Sequence, residues 1–228
     1  EMIDRVVVQA IEQTSPAGFP TTAEAVLIVE LEDLRDGLES DAQQVESILR
    51  EFGATEVRRA RDEAERARIW RARKGAFAAL GAICPSYYTQ DGVIPRSALP
   101  KVLDRVFAIG KKYGLRIANV FHAGDGNLHP LILYDAHNPR EVENTERAGE
   151  EILGVCVEHG GSLSGEHGIG LEKSGLLAHV FNEDDIQNMK RVREVFNPEE
   201  LLNPGKIFPT PGRCAEIRMV AKKTGIAV

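Results

Sequence analysis

Residues 119–130 are Asn119-Val120-Phe121-His122-Ala123-Gly124-Asp125-Gly126-Asn127-Leu128-His129-Pro130, with a mainly apolar run on either side. The dipeptide Asp125-Gly126 is typical of two-residue hairpin turns, in which both central residues take positive φ. Such a turn predicts a β-hairpin with His122 and His129 directly opposed on one face, their Cβ atoms roughly 4.5–5.5 Å apart. The glycines and Pro130 argue against a helix. Two imidazoles placed in this way can bind one metal ion, or can simply pack or face solvent.

A second unusual stretch, residues 160–170, has five glycines among eleven residues. Its one ionisable pair is Glu166-His167, and it lacks the Gly-x-Gly-x-x-Gly pattern of dinucleotide-binding turns. One interpretation is a flexible connector with two solvated groups. The other is that Glu166 completes the site begun by His122 and His129. Two histidines and one carboxylate leave a coordination position open for substrate or water, as catalytic metal sites require.

The composition restricts the class of protein. Among 228 residues, 43% are hydrophobic and 28% are charged, as in soluble globular proteins. The net charge of −7, without a basic block, argues against a nucleic-acid partner. No apolar run approaches the ~20 residues of a membrane span, and no signal peptide is evident. Cys84, Cys156 and Cys214 are far apart and lack metal-ligand spacing, which predicts ordinary thiols and a cytoplasmic protein.

The hydrophobic periodicity predicts alternating helices and strands. The predicted helices are 1–13, 41–52, 62–80, 97–114 (capped by Ser97), 140–159 and 183–196; the predicted strands are 25–31, 55–59, 87–94 and the two arms of the hairpin. This order predicts an α+β, ferredoxin-like fold: an antiparallel sheet with helices packed mainly on one face, with a duplicated version left open. Residues 210–228 have few apolar anchors and are predicted to be a loosely ordered tail.

Three motifs, in this order, resemble the carboxyl-terminal domain of FAD-linked oxidases, in the vanillyl-alcohol-oxidase superfamily. They are His122-Ala123-Gly124-Asp125-Gly126-Asn127-Leu128-His129, Ser164-Gly165-Glu166-His167-Gly168-Ile169-Gly170 and Leu202-Asn203-Pro204-Gly205-Lys206-Ile207. The stretch Asp91-Gly92-Val93-Ile94-Pro95-Arg96 is most similar to the version in glycolate oxidase D subunits. The resemblance extends from about Pro16 to Pro209, and the family includes D-lactate and D-2-hydroxyglutarate dehydrogenases.

The resemblance implies a domain organisation and a function. Residues 1–209 would be the substrate or cap domain, 210–228 a tail, and the amino-terminal FAD-binding domain would be absent from this chain. The expected function is the substrate-binding half of an FAD-dependent 2-hydroxy-acid oxidase or dehydrogenase, of glycolate or D-lactate type. The fragment alone is expected to be inactive. The implied partners are a small 2-hydroxy acid, the FAD-binding domain of the same protein and other glycolate oxidase subunits.

The resemblance also implies roles for individual residues. His122, His129 and Glu166 would bind a divalent metal (zinc, manganese or iron), and His167 would act on the substrate hydroxyl. Arg73 would bind the substrate carboxylate, although on a charged helix it could equally be one more surface arginine. The flavin contacts would be Asn127 and Asn203.

Two positions depart from the hydroxyglutarate enzymes. Phe77 stands where those enzymes have a threonine, and Thr89 stands in place of their second carboxylate-binding lysine. The loss of both polar groups argues against a dicarboxylic substrate and favours a short 2-hydroxy acid.

Two other classes of function remain open from the sequence. A metal-dependent hydrolase could use the same two histidines and one glutamate, with water in the open position. A non-catalytic ferredoxin-like binding module would need neither metal nor flavin.

Overall fold

The computed structural model describes residues 1–32 and 35–208 of the protein. The strands are β1 (Met2–Asp4), β2 (Ala25–Leu27), β3 (Ser86–Thr89), β4 (Gly92–Val93), β5 (Arg116–Phe121), β6 (Asn127–Leu128) and β7 (Pro130–Tyr134). The helices are α1 (Arg5–Thr14), α2 (Arg35–Glu51), α3 (Glu63–Lys74), α4 (Ala76–Leu80), α5 (Leu99–Tyr113), α6 (Pro139–Glu158) and α7 (Glu183–Phe196), with 3₁₀ turns at Arg96–Ala98 and Ser174–His179. One antiparallel sheet has the order β2-β1-β5-β7-β3, and β4 pairs with β6. The α+β class and the antiparallel sheet are confirmed.

Helices cover both faces of the large sheet, so the prediction that they lie mainly on one face is wrong. Successive side chains of a strand point to opposite faces. Ala118 and Val120 of β5 pack against α1, α3 and α4, whereas Ile117 and Phe121 pack against α5 and α6. The physical reason is that β5 is apolar on both sides, as expected of a strand buried between two layers.

The beginning of the chain is a strand followed by a helix, and not one helix over 1–13. Met2 and Ile3 pair with Phe121 and Val120 of β5. The helix α1 begins only at Arg5, because the Asp4 carboxylate accepts a hydrogen bond from the Val7 amide at 3.1 Å and caps it. The apolar residues there suit either structure, and the pairing with a strand more than 100 residues away decides between them.

Other boundaries also differ from the predictions. The predicted helix 62–80 is divided at Gly75 into α3 and α4, and the predicted strand 87–94 is divided into β3 and β4. Residues 55–59 form no strand, and α5 has no side-chain cap, because Ser97 lies in the preceding 3₁₀ turn. The predicted helix 183–196 is confirmed as α7.

The predicted tail, with Cys214, lies outside the described residues. Within them, no helix is both long and apolar enough to cross a bilayer.

The hairpin between β5 and β7 has a different register from the predicted one. His122 forms a bridge with Asn127, and the loop between them has four residues, 123–126, of which only Gly126 has positive φ, +74°. The pairing is therefore displaced by two residues. Because alternate residues share a face, this even displacement leaves His122 and His129 on the same side of the sheet, as diagonal neighbours.

Gly126 is needed for a close approach of two backbones, and not for a two-residue turn. Its carbonyl accepts a hydrogen bond from the Ile94 amide at 3.0 Å, and a Cβ at Gly126 would lie 2.2 Å from the Ile94 carbonyl oxygen. Leu128 pairs with Gly92 just beyond. The short strand β4 thus holds the end of the hairpin and sets its register.

Candidate metal and substrate site

Three imidazoles converge on one carboxylate oxygen. Glu166 Oε1 lies 2.8 Å from His129 Nε2, 3.7 Å from His122 Nε2 and 3.6 Å from His167 Nε2. The His122 and His129 rings are nearly perpendicular, with centroids 5.2 Å apart, and the His167 ring stacks on His129 at 5.1 Å. The structure therefore brings together the four residues that the hairpin and the glycine-rich loop supplied as candidates.

His129 presents a free lone pair to Glu166. The ring is buried, and its Nδ1 lies 3.2 Å from the Gln90 carbonyl oxygen, which can only accept a hydrogen bond. Nδ1 therefore carries the hydrogen and Nε2 is unprotonated in the neutral ring. Burial lowers the pKa of His129, against the opposing effects of the Gln90 carbonyl and the Glu166 charge, and so favours the neutral ring.

His122 is oriented in the same way by a carboxylate. Its Nδ1 lies 3.0 Å from Glu1 Oε1, so Nδ1–H donates and Nε2 points towards Glu166. Burial raises the pKa of Glu1, but hydrogen bonds and charge from Arg73, together with His122, lower it overall. A carboxylate that accepts a hydrogen bond from the second nitrogen of a histidine is a common partner of metal-binding histidines. No local signal in the sequence identified Glu1, because its proximity to His122 depends on the pairing of β1 with β5.

This donor set fits a divalent cation. Two lone-pair atoms, His129 Nε2 and Glu166 Oε1, face each other at 2.8 Å, an arrangement that repels unless a proton or a cation lies between or beside them. Ligand atoms ~2.1 Å from one cation and at right angles to each other are ~3.0 Å apart, close to this separation. His122, His129 and Glu166 could therefore hold the metal. The carboxylate of Glu166 is half-exposed, so one side of the candidate site faces solvent.

Asp91 anchors the loop that carries Glu166 and His167, a role that no pattern in the sequence predicted. Its fully buried carboxylate accepts hydrogen bonds from the Ser164 hydroxyl at 2.6 Å, the His167 amide at 2.8 Å and the Lys173 ammonium at 3.1 Å. Burial raises the pKa of Asp91, but these donors outweigh burial and hold the pKa well below its usual range.

The Asp91 carboxylate also lies near the candidate metal ligands. One ligand atom from each of Asp91, His129, Glu166 and His167 lies within 4.8 Å of the others. Asp91 is nevertheless a poor metal ligand, because both of its oxygens are engaged and a buried ammonium lies beside it.

Arg73 is buried, and is therefore not an ordinary surface arginine. Its guanidinium donates to Glu1 Oε2 at 2.7 and 3.2 Å, so that it reaches the cluster through the Glu1 carboxylate and His122. Of the two positions that depart from the hydroxyglutarate enzymes, Phe77 packs against the core and near the Tyr87 ring.

The two predicted flavin contacts lie in different surroundings. Asn127 is buried behind the glycine-rich loop, where a Cβ at Gly165 would approach it to 2.7 Å, and its side-chain oxygen has no hydrogen-bond partner among the described residues. Asn203 is exposed with φ of +47°, and its carbonyl accepts from Arg193 at 2.7 Å. The structure therefore places Asn127 beside the cluster, whereas the hydrogen bonds of Asn203 lead elsewhere.

Comparison with known proteins supports the assignment of these residues to one family. Residues 1–207 match the family model described as FAD linked oxidases, C-terminal domain. The chain is 51% identical over 216 residues to glycolate oxidase subunit GlcD of Escherichia coli (strain K12), covering 95% of this chain and 43% of that protein. It is 34% identical over 223 residues to the GlcD subunit of Bacillus subtilis (strain 168), covering 98% and 47%.

A more distant relative has a different name. The chain is 30% identical over 210 residues to a probable mitochondrial D-lactate dehydrogenase of Danio rerio, covering 91% of this chain and 42% of that protein. The chain thus spans less than half the length of these curated relatives. With nearly all of its described residues inside the family match, this chain belongs to the FAD-linked oxidases, as their carboxyl-terminal domain.

Proposed function

We propose that this chain is the substrate-binding half of an FAD-dependent oxidase or dehydrogenase that converts a short 2-hydroxy acid, of glycolate or D-lactate type, into the 2-oxo acid. The observation that carries the proposal is the convergence of three imidazole nitrogens on Glu166 Oε1 in a chain of this family. Membership in a family whose named relatives are oxidoreductases argues against the hydrolase and binding-module alternatives.

In this proposal His122, His129 and Glu166 hold a divalent cation, zinc, manganese or iron, and the FAD is held mainly by a separate domain. When bound, such a cation lowers the pKa of a hydroxyl that coordinates it. Flavin supplies the redox chemistry, namely acceptance of the hydride from the α-carbon. Asn127 and Asn203 remain proposed contacts to the flavin.

His167 is the proposed general base. It accepts the proton of the substrate hydroxyl at Nε2, the nitrogen that lies 3.6 Å from Glu166 Oε1. Its ring is half-exposed and stacked on His129, and Gly165, Gly168 and Gly170, which lie near it in sequence, add no side chains. A base in this position needs to be within hydrogen-bond reach of the hydroxyl, directly or through one water.

Arg73 is the proposed carboxylate clamp. Its planar guanidinium can bind a carboxylate through two parallel hydrogen bonds. In the structure, Nε–H and Nη2–H of Arg73 both donate to one oxygen of Glu1, Oε2, and the other oxygen, Oε1, lies against His122 Nδ1. The substrate carboxylate would replace Glu1, or join it, on the Arg73 guanidinium.

The test uses the intact protein that contains this chain, with its flavin. Wild-type protein mixed anaerobically with glycolate or D-lactate should reduce its flavin in stopped-flow measurements and contain about one metal ion per chain. Glu166→Gln and His129→Ala should lose both the metal and the reduction while flavin content is unchanged. His137→Gln is the matched control, because His137 is exposed and, among the described residues, its side chain bonds with the nearby Asp135. Full reduction by metal-free wild-type protein would contradict the proposed site.

The partners and the location follow as part of the same proposal. The names of the GlcD relatives contain the word subunit, which supports further subunits beside an FAD-binding domain of the same protein. A cytoplasmic location rests on the free thiols of Cys84 and Cys156.

A further inference from the structure

We propose that Asp91 is a positioning residue for the reaction: its carboxylate fixes the backbone of residues 164–167, so that Glu166 and His167 face His129. The inference rests on the proposed function of the metal and substrate site.

The Asp91 carboxylate accepts hydrogen bonds from five donors, and three of them are the amides of successive residues. Besides Ser164 and Lys173, it accepts from the backbone amides of Gly165 at 3.2 Å, Glu166 at 3.2 Å and His167 at 2.8 Å. Consecutive amides directed at one anion form a nest, which fixes the orientation of each peptide in turn. The direction in which the Glu166 and His167 side chains leave the backbone is thereby determined.

A hydrogen bond within the same loop joins Ser164 to Gly168, the residue that follows His167. The Ser164 hydroxyl donates to Asp91 and accepts from the Gly168 amide at 2.7 Å. The Asp91 carbonyl accepts from the Gly165 amide at 3.1 Å as well. Both the side chain and the main chain of Asp91 therefore hold the loop.

Asp91 is itself held by the core. The neighbouring Gly92 packs so closely that a Cβ there would lie 2.5 Å from the sulfur of Cys156 in α6. Val93 exchanges two backbone hydrogen bonds with Ser162, each 3.0 Å long. Glu166 and His167, in contrast, have half-exposed side chains. The carboxylate of Asp91 thus connects the loop that carries the half-exposed side chains of Glu166 and His167 to the buried core.

The negative charge of the Asp91 carboxylate is essential for holding the loop in place. An amide in place of the carboxylate would offer one acceptor oxygen and one NH₂ group, and the NH₂ would face backbone N–H groups or the ammonium of Lys173. Lys173 is 3% exposed and pairs with Asp91 at 3.1 Å, so that loss of Asp91 also leaves a buried charge unpaired. A test must therefore separate the loss of loop order from the loss of charge balance.

The experiment compares four variants of the intact protein with wild type. Asp91→Asn removes the anchor. The double variant Asp91→Asn/Lys173→Met removes both charges and leaves no unpaired ion. Ser164→Ala removes a single donor and retains the carboxylate. Asp104→Asn is the matched control, because Asp104 is exposed on α5.

Two readouts are needed, hydrogen exchange of the amides of 165–167 and affinity for Zn²⁺ or Mn²⁺. In Asp91→Asn we expect these amides to exchange about tenfold faster or more, since each loses a hydrogen bond to a charged acceptor. Metal affinity should fall about 10- to 100-fold, the usual effect of removing a group that supports a metal ligand. The double variant should regain thermal stability but neither slow exchange nor metal affinity, and Ser164→Ala should show a smaller change in the same direction.

Two results would overturn the inference. One is wild-type exchange at 165–167 in folded Asp91→Asn, or in the double variant if the single one does not fold. If neither folds, unchanged exchange in Ser164→Ala overturns it. The other is full recovery of both readouts in the double variant, which would mean that Asp91 serves only charge balance. If wild-type protein binds no metal, the proposed metal site fails, and the exchange rates alone then decide the role of Asp91.

Discussion

Glu1 and His122 lie side by side at the ends of the paired strands β1 and β5, and the His122 Nδ1–H donates to the Glu1 carboxylate at 3.0 Å. The second oxygen of the same carboxylate accepts from Arg73. One carboxylate therefore orients a proposed metal ligand and engages the proposed substrate clamp. The link that the Glu1 carboxylate makes between His122 and Arg73 is testable with a substitution that removes the charge of Glu1 and retains the shape of its side chain.

Glu1→Gln should lower the affinity for the divalent metal about 10- to 100-fold, because His122 loses the anionic partner that fixes its tautomer. Metal titration of the intact protein measures this change. Glu24→Gln is the control, since Glu24 is an exposed carboxylate that pairs with Arg5. Equal metal affinity in the two variants would show that Glu1 does not support His122.

His167→Gln should slow reduction of the flavin by substrate about 10²–10⁴-fold, the typical contribution of a general base. Metal and flavin content should stay close to wild type, because His167 is not one of the three proposed ligands. Anaerobic stopped-flow absorbance isolates this step from the electron acceptor. A wild-type rate over the whole pH range would mean that another group takes the proton.

Asp4→Asn should stabilise the fold at pH 7.5. Burial raises the pKa of Asp4, although hydrogen bonds from Val7 and Asn119 partly oppose the effect. The native state therefore binds the proton more tightly than the unfolded chain, so wild-type stability falls as the pH rises between the unfolded and folded pKa values. Each pKa unit of the shift corresponds to about 1.4 kcal/mol.

The asparagine variant has no such pH dependence at this position and still caps α1. Urea unfolding at pH 7.5 and at pH 4 measures the difference. Asp4→Ala serves as the comparison, because it removes the charge and also the cap, with a loss of about 1 kcal/mol. A less stable Asp4→Asn at pH 7.5 would contradict the expectation.

Gly126→Ala should destabilise the protein by about 2 kcal/mol or more, since the new Cβ would clash with the Ile94 carbonyl in a left-handed backbone conformation. Gly124→Ala is a close control in the same loop, because among the described residues no atom other than those of its chain neighbours lies within 4 Å of its added Cβ, and its φ is not positive. Thermal unfolding of the two variants should give clearly different midpoints. Similar midpoints would show that β4 does not constrain the loop.

Asn203→Gly should weaken flavin binding in the intact protein and leave thermal stability nearly unchanged. Glycine adopts the φ of +47° found at Asn203 without strain, so the substitution removes the side-chain amide and little else. Flavin content after dialysis and the flavin absorption spectrum report the loss. Unaltered flavin retention and spectrum would exclude a contact of the Asn203 amide with the ring.

The shared face of His122 and His129 could be anticipated from sequence because local patterns carry it, whereas for Glu166 the glycine-rich loop left two interpretations open. The glycines and Pro130 exclude a helix, and an alternating strand fixes which residues share a face. The register of the hairpin could not be anticipated, since it depends on the contact of Gly126 with Ile94 and on the pairing of β4 with β6. The sequence pattern thus predicted a shared face for His122 and His129, but through a turn that the structure does not have.

The residues that support the site escaped prediction for a similar reason. Glu1 reaches His122 across 121 positions of the chain, and Asp91 reaches His167 across 76. Neither contact has a periodic or spacing signal, because each follows from the packing of distant elements. The helices on both faces of the sheet were missed although β5 is apolar on both sides, a pattern that does predict burial between two layers.

The alternation of side chains between the two faces of the sheet restricts how the loop 123–126 can change in length. An insertion of two residues that is absorbed by the strands shifts the pairing but returns His129 to its original side of the sheet. An insertion of one residue absorbed in the same way turns His129 to the opposite side, away from Glu166. Length variation at this point in related proteins is therefore expected in steps of two, or else accompanied by a β-bulge that restores the alternation.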